Sequence, residues 1–259
     1  MKITTIILDW AGTTVDFGSF APVDAFMTAF AAYGITPTAD ETRAPMGLAK
    51  RAHIAAMLSG ERLAAMWMEK HDKPHTEADI DAIYAKFEPA LFEVLTKYAE
   101  PLPGVVEVAA KIRQMGIKIG STTGYTRPMM DVVAPLAKER GYAPDCLVCP
   151  EDVDGNGRPY PYMIWKNLQT LGAASIGEVL KIGDTDADMQ EGKAAGCLSV
   201  GVIAGSSMLG LTESEIAAFD AGSKANLFAD TRRKYFQSGA DFVIDSIHEL
   251  PALITTIGG

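Results

Sequence analysis

Basic runs, long apolar runs and paired cysteines are what this chain most lacks. Its 259 residues hold 23 Lys and Arg against 33 Asp and Glu, a net charge of −10, and the pI is about 4.9. Nucleic acid and anionic membrane surfaces are poor candidate partners and neither is expected, because affinity for either grows with basic surface. No apolar run approaches the length needed to span a bilayer, so a membrane protein is not expected either. The three cysteines, Cys146, Cys149 and Cys197, are an odd number and build no disulfide framework. "CLVC" has zinc-like spacing, but there is no second pair and the four His are scattered, so the thiols are read as buried strand residues. "MKITTIILDW" ends its apolar stretch in an acid with no small-residue cleavage site, which marks a first strand rather than a signal peptide. The expectation is a soluble, cytoplasmic, globular protein.

What is present is a rhythm. "ITTIILD", "IKIGSTT", "CLVCPED", "EVLKIGDTD", "LSVGVIAG" and "DFVIDS" are short β-branched runs, several ending in an acid. Amphipathic stretches such as "GVVEVAAKIRQMG", "TRPMMDVVAPLAKERG", "PYMIWKNLQTLG" and "ADMQEGKAAG" separate most of them. Strands alternating with helices predict an α/β fold with a doubly wound parallel sheet. Between Phe20 and Glu100 the pattern becomes wholly helical, and "EPLPG" marks the return to the sheet because its prolines disfavour helix. The division read from this is a core of 1–20 and 100–259 with a helical lobe of 21–99 inserted after the first strand. Apolar residues on the inserted helices, Met57, Met66 and Trp67 among them, are expected in its core, with some facing a partner subunit.

In a parallel sheet the crevice lies beyond the carboxyl ends of the strands. Asp9, "STTGY" and "GDTDADM" all fall at such ends, which brings Asp9, Asp184 and Asp188 together. Clustered carboxylates repel unless a proton or a cation sits among them. All-oxygen ligands with space for a substrate phosphate favour Mg²⁺. Asp186 is read instead as a cap for the following helix.

Four stretches in order, "DWAGTTVD" at Asp9, "STTGY" at Thr123, "GRPYP" at Arg158 and "GDTDADM" at Asp184 and Asp188, resemble the haloacid dehalogenase-like superfamily over essentially the whole chain. The resemblance implies a Rossmann-like core with a helical cap. It makes Asp9 a nucleophile that forms a covalent aspartyl intermediate and shares Mg²⁺ with Asp184, the backbone carbonyl of Ala11 supplying another oxygen. Asp188 would hold metal-bound water or orient the site from behind. Thr123 would offer its hydroxyl to a phosphoryl oxygen, and Arg158 would offset the charge gathered there.

The superfamily usually carries a second Asp two residues after the nucleophile, which protonates a leaving alcohol. Ala11 transfers no proton, so ester cleavage would forfeit a contribution of about 10²–10⁴-fold. A carbon leaving group has a different need, the delocalisation of an electron pair. A lysine meets it by condensing with a neighbouring carbonyl to an imine. "APMGLAKRAHI" supplies Lys50 at an apparent helix start, where the helix terminus and Arg51 are expected to lower its pKa.

That combination resembles the phosphonatase family within the superfamily, through "DWAGTTVD", "FAPVDAF", "MGLAKRAHI", "GSTTGYTR", "GRPYPYM" and "GDTDADMQEG". The resemblance implies hydrolysis of the phosphorus–carbon bond of a small phosphonate, phosphonoacetaldehyde, to acetaldehyde and phosphate by a homodimer. It implies an imine at Lys50 and an aspartyl phosphate at Asp9. Gly47 matches a cap-loop glycine whose missing side chain lets backbone approach substrate. Met46, His53 and Tyr125 match residues that line or support the site, and Ser19 stands where some relatives carry Cys. Rival readings are a phosphoglycolate or sugar-phosphate phosphatase, a phospho-accepting receiver module, and a binding protein that has lost its acid.

Overall fold

A computed structural model describes residues 2–258. Six strands, β1 (Thr5–Leu8), β2 (Lys118–Thr122), β3 (Cys146–Val148), β4 (Val179–Gly183), β5 (Leu198–Val202) and β6 (Phe242–Ile244), form one sheet in the order β3-β2-β1-β4-β5-β6. Every pairing is parallel. This is the doubly wound sheet expected from the alternating pattern, and its central strands are buried throughout because helices cover both faces.

Six helices intervene between β1 and β2, and the first five form the insertion: α1 (Phe20–Ala31), α2 (Ala39–Arg43), α3 (Lys50–Leu58), α4 (Glu61–His71) and α5 (Glu77–Leu95). They bury one another through aromatic faces. Phe26 of α1 stacks on Phe87 of α5 with ring centroids 4.2 Å apart, and on His53 of α3 at 3.9 Å. Met57 and Trp67 are buried and Met66 packs partly buried against the same cluster. Met57 and Trp67 therefore face this helical core and not a partner.

The rest of the chain adds α6 (Val105–Gln114), α7 (Arg127–Glu139), α8 (Tyr162–Leu171), α9 (Asp186–Ala195), α10 (Glu213–Ala218), α11 (Ala221–Gln237) and α12 (Leu250–Gly258) around the sheet. Thr38–Glu41, Thr76–Asp79, Thr185–Asp188 and Thr212–Glu215 are reciprocal capping boxes that satisfy helix-start N–H groups. At α9 the capping acid is Asp188. Asp186, expected in that role, instead accepts from Ser238.

Two crossings join the inserted helices to the sheet. Val15 bridges Pro101, and the Leu102 amide donates to the Thr14 carbonyl at 2.9 Å. Asp16, Gly18 and Ser19 all take positive φ here, at 56°, 86° and 51°. Asp16 turns its buried carboxylate onto the start of α1 and accepts from the Phe20 and Ala21 amides at 3.0 and 3.1 Å. Burial pushes this carboxyl up to about 7 against the pull of those two amides. Removing the carboxylate strands two amides at a helix start. Asp16→Ala is expected to lower unfolding stability by about 1–2 kcal/mol, read as a shifted urea midpoint.

Candidate active site

The strand register sets the site. Leu8 lies opposite Ser121 on one side and Ile182 on the other, so Asp9, Thr122–Thr123 and Gly183–Asp184 leave the sheet along one rim. This is where the strand order reverses about β1, the place where open α/β sheets form their crevice. The inserted helices bring Met46, Gly47 and Lys50 over that rim. Together Asp9, Ala11, Ser19, Met46, Gly47, Lys50, Thr123, Gly124, Tyr125, Arg158 and Thr185 enclose a cavity of about 20 Å³.

Residues distant in sequence meet tightly here. A Cβ on Gly124 would lie 2.7 Å from the Leu48 carbonyl oxygen and 2.9 Å from that of Gly47. Gly47 itself, at φ 91°, leaves the space that Thr185 Oγ1 and Ala187 Cβ fill. Its missing side chain thus makes room for the sheet-side loop as well as bordering the cavity. Ser19 Oγ is buried without a hydrogen-bond partner, since Asp16 has taken over the capping of α1.

Lys50 is the first residue of α3 and its side chain is buried, with Nζ 4.8 Å from the Tyr125 ring centroid and 5.9 Å from that of Phe26. Burial, aided by Arg158 and opposed by Asp9, lowers its pKa to about 8. The expected contribution of Arg51 is corrected: that guanidinium points outward to Glu77 and Asp81 at 2.8 and 2.7 Å. His53 does not line the cavity. It lies behind Lys50, stacked on Phe26, with Nε2 2.8 Å from the Thr42 carbonyl oxygen and Nδ1 unpartnered. Burial and the nearby Lys50 charge hold it neutral. Tyr125 is kept protonated by burial, then by Asp16, Asp9 and Asp184. Its amide donates to Thr123 Oγ1 at 3.0 Å.

On the opposite wall, Arg158 Nη2 donates to Asp9 Oδ1 at 2.5 Å and to the Thr122 carbonyl at 2.9 Å. Burial opposes its charge, but Asp188, Asp9 and Glu191 outweigh that and keep it cationic. Among the described residues one acidic group is arranged to hold a metal: Asp9, Asp184 and Asp188 offer oxygens within 4.8 Å of one another. Burial, then the charges of Asp9 and Asp188, drives the Asp184 carboxyl well above the usual range. A cation is what such a group needs. A Cβ on Gly12 would sit 2.2 Å from Asp184 Oδ2, so the Ala11–Gly12 backbone borders the same space.

Asp188 differs from the other two. Its Oδ2 accepts from the Thr185 amide at 3.2 Å and the Thr185 hydroxyl at 2.5 Å, and its Oδ1 faces Lys181 at 2.7 Å and Arg158 at 3.1 Å. Arg158 and Lys181 overcome the burial cost and hold it ionised. Thr122, Lys181 and Glu191, buried behind the site, escaped the sequence reading. Two signals were available. Lys181 is a charge in the middle of the apolar strand "VLKIG", and Glu191 stands three residues after Asp188 on the same helix face.

The profile of the haloacid dehalogenase-like hydrolases matches residues 3–196, and with the sheet, insertion and acidic rim it places the chain in that class of enzymes. Curated relatives from Bacillus cereus and Bacillus cytotoxicus, each named phosphonoacetaldehyde hydrolase, are 48% identical over 99% of this chain and 97% of their own length. The chain belongs to the phosphonoacetaldehyde hydrolase family. A solved structure of a phosphonoacetaldehyde hydrolase like protein from Oleispira antarctica superposes with a TM-score of 0.96 at 36% identity, covering 100% of this chain and 93% of that one. A beta-phosphoglucomutase-like structure from Bacteroides vulgatus, at 18% identity and TM-score 0.69 over 100% and 91% of the two chains, shares the fold alone.

Proposed function

We propose that this enzyme hydrolyses the phosphorus–carbon bond of phosphonoacetaldehyde, releasing acetaldehyde and phosphate, with Lys50 and Asp9 working at opposite ends of the molecule. The observation that carries this reading is their convergence on one enclosed cavity where residue 11 is Ala. The names of the relatives that are 48% identical point to the same substrate.

The Lys50 amine adds to the aldehyde carbon, and loss of water leaves a protonated imine. Asp9 then attacks phosphorus, the carbon–phosphorus electron pair moves into the imine, and an enamine departs. Protonation on carbon and hydrolysis free acetaldehyde and Lys50, and water releases phosphate from Asp9. No step asks residue 11 for a proton, which is why Ala suffices there. Thr123 and Arg158 receive the phosphoryl oxygens, while Met46, Gly47 and Tyr125 enclose the organic end. His53 supports Lys50 from behind through Phe26.

Asp9, Asp184 and the Ala11 carbonyl would hold Mg²⁺, with Asp188 acting through water because Thr185 holds one of its oxygens and the charges of Lys181 and Arg158 face the other. When bound, the ion offsets the negative charge that nucleophile and phosphoryl group bring together. We assign residues 1–20 and 100–259 to the catalytic core and 21–99 to a cap that closes over it. The active form is a homodimer, for which Tyr160, Tyr162 and Trp165 offer an exposed aromatic surface in which Tyr160 stacks on Tyr162 and Trp165 meets Tyr162 edge-on. We place it in the cytoplasm. Among the described residues no helix is long and apolar enough to cross a membrane.

A coupled assay for both products tests the reaction. Equal amounts of acetaldehyde and phosphate are expected, and phosphate without aldehyde would reject it. The metal assignment has its own signature. Since Asp184 is driven well above the usual carboxylate range without a cation, Mg²⁺ binding is expected to release a proton at pH values below that raised pKa, and to strengthen as the pH rises through it. Calorimetric titration in buffers of different ionisation enthalpy reads that proton directly. Heats that do not vary with the buffer would contradict it.

A further inference from the structure

Behind the rim lies a buried ion pair that the reaction above does not use. Lys181 projects from the central strand β4 and Glu191 from α9, and both are fully buried. Nζ of Lys181 is 3.2 Å from Glu191 Oε2 and 2.7 Å from Asp188 Oδ1, and it donates to Thr122 Oγ1 at 2.8 Å. Glu191 Oε2 in turn accepts from the Thr122 hydroxyl at 3.0 Å and from Arg158 Nε at 3.0 Å. An ion pair this deep costs several kcal/mol of desolvation per charge and is often no more stabilising than apolar residues of similar volume. Cohesion between α9 and β4 is therefore a weak reason for it.

Its geometry toward Arg158 gives a stronger one. Nε and Nη2 lie along one edge of the guanidinium, the fork that grips a carboxylate with two parallel bonds. That edge is shaped to take both oxygens of a single carboxylate, and Nη2 is further held by the Thr122 carbonyl at 2.9 Å and faces Asp188 Oδ1 at 3.1 Å. Here Glu191 occupies Nε, so Nη2 alone reaches Asp9, and only through Oδ1. The second oxygen of Asp9 stays clear of the fork. Lys181 makes the arrangement tolerable, because it balances Glu191 and stops that carboxylate from drawing Arg158 off the nucleophile.

We infer that Glu191, held by Lys181, is a positioning residue that turns Arg158 so that it binds one oxygen of Asp9 and leaves the other free to attack. The inference rests on the roles proposed for Asp9 and Arg158 but not on the imine at Lys50.

A double-mutant cycle of Glu191→Gln and Arg158→Lys tests it, with circular dichroism to check folding and phosphate release followed at saturating Mg²⁺. Phosphonoacetaldehyde is one probe. Acetyl phosphate is the other, because its acetate leaves without imine or acid, so the pair is tested even if the aldehyde substrate proves wrong. Glu191→Gln is expected to lower kcat about 10²-fold while KM changes little. Lysine has no Nε edge to orient, so the double variant should be no slower than Arg158→Lys alone. Losses that multiply would overturn the inference. Should Glu191→Gln fold poorly, Lys181→Met/Glu191→Leu removes the pair outright. A well-folded variant with the same loss in kcat supports the positioning role, and full activity sinks it. Borohydride trapping at Lys50 should stay at the wild-type level in Glu191→Gln, and a failure to trap in wild type would count against the imine alone.

Discussion

Lys50→Arg is expected to lose phosphonoacetaldehyde turnover by about 10⁴-fold or more, and to lose all borohydride trapping, while keeping its fold. The substitution preserves a positive charge beside Tyr125, Phe26 and Asp9, so an electrostatic role for Lys50 would survive it. Condensation with an aldehyde would not, because a guanidinium offers no free amine at accessible pH. Wild-type enzyme reduced in the presence of substrate should carry one ethyl-type adduct, mapped to Lys50. Near-normal turnover by the Arg variant would reject the imine.

The same amine is expected to set the pH profile. Its pKa falls from 10.5 to about 8, chiefly because burial disfavours the cation. At pH 7 this makes the free amine about 300 times more abundant than in an exposed lysine. Because the reactive form is the deprotonated one, kcat/KM should climb about tenfold per pH unit below 8 and level off above it. A profile that fell through that range would assign the limb to a different group.

Asp9→Asn should be as damaging to phosphate release, again about 10⁴-fold or more, since an amide has no carboxylate to attack phosphorus. Its trapping behaviour should be the reverse of that of the lysine variant. Imine formation needs only Lys50 and the aldehyde, so the Asp9→Asn enzyme should still be modified by borohydride at Lys50. Arg158 keeps Glu191, Asp188 and Thr122 as partners when Asp9 is neutralised, which argues that the pocket persists. Loss of both signals together would show that Asp9 organises the whole cavity rather than one chemical step.

Much of the sheet was legible because its strands are short β-branched runs punctuated by acids and glycines, and parallel topology then dictates which ends converge. Asp9 and Asp184 are readable from strand ends alone. Lys50 was legible for a less direct reason: Ala11 removes a proton donor, and the search for a substitute leads to an amine. The cause of its lowered pKa was not legible. Arg51 is its neighbour in sequence, yet successive helix residues point different ways, and the salt bridges of Arg51 to Glu77 and Asp81 take it to the surface. Burial against Tyr125 is a property of how the inserted helices meet the rim, which no local pattern encodes. His53 shows the same limit. A helical position three residues after Lys50 suggested a share in the site, whereas stacking on Phe26 takes the ring out of the cavity. The pair of Lys181 and Glu191 lay hidden because a lone charge in a strand reads as an exception to be tolerated until its partner is seen.

The cavity between Lys50 and Asp9, about 20 Å³, has room for roughly a single water molecule. So small a space does not hold the molecule it is proposed to consume, and a cap that closes over the core, as proposed, would have to part from the rim to admit it, with the two chain crossings at Asp16 to Ser19 and Pro101 as its pivots. Collisions that arrive while the seam is shut achieve nothing, so capture is slowed by the fraction of time spent ajar. The tight backbone fit of Gly124 against Gly47 and Leu48, which would keep bulk solvent from the proposed imine, would thereby also throttle traffic in both directions.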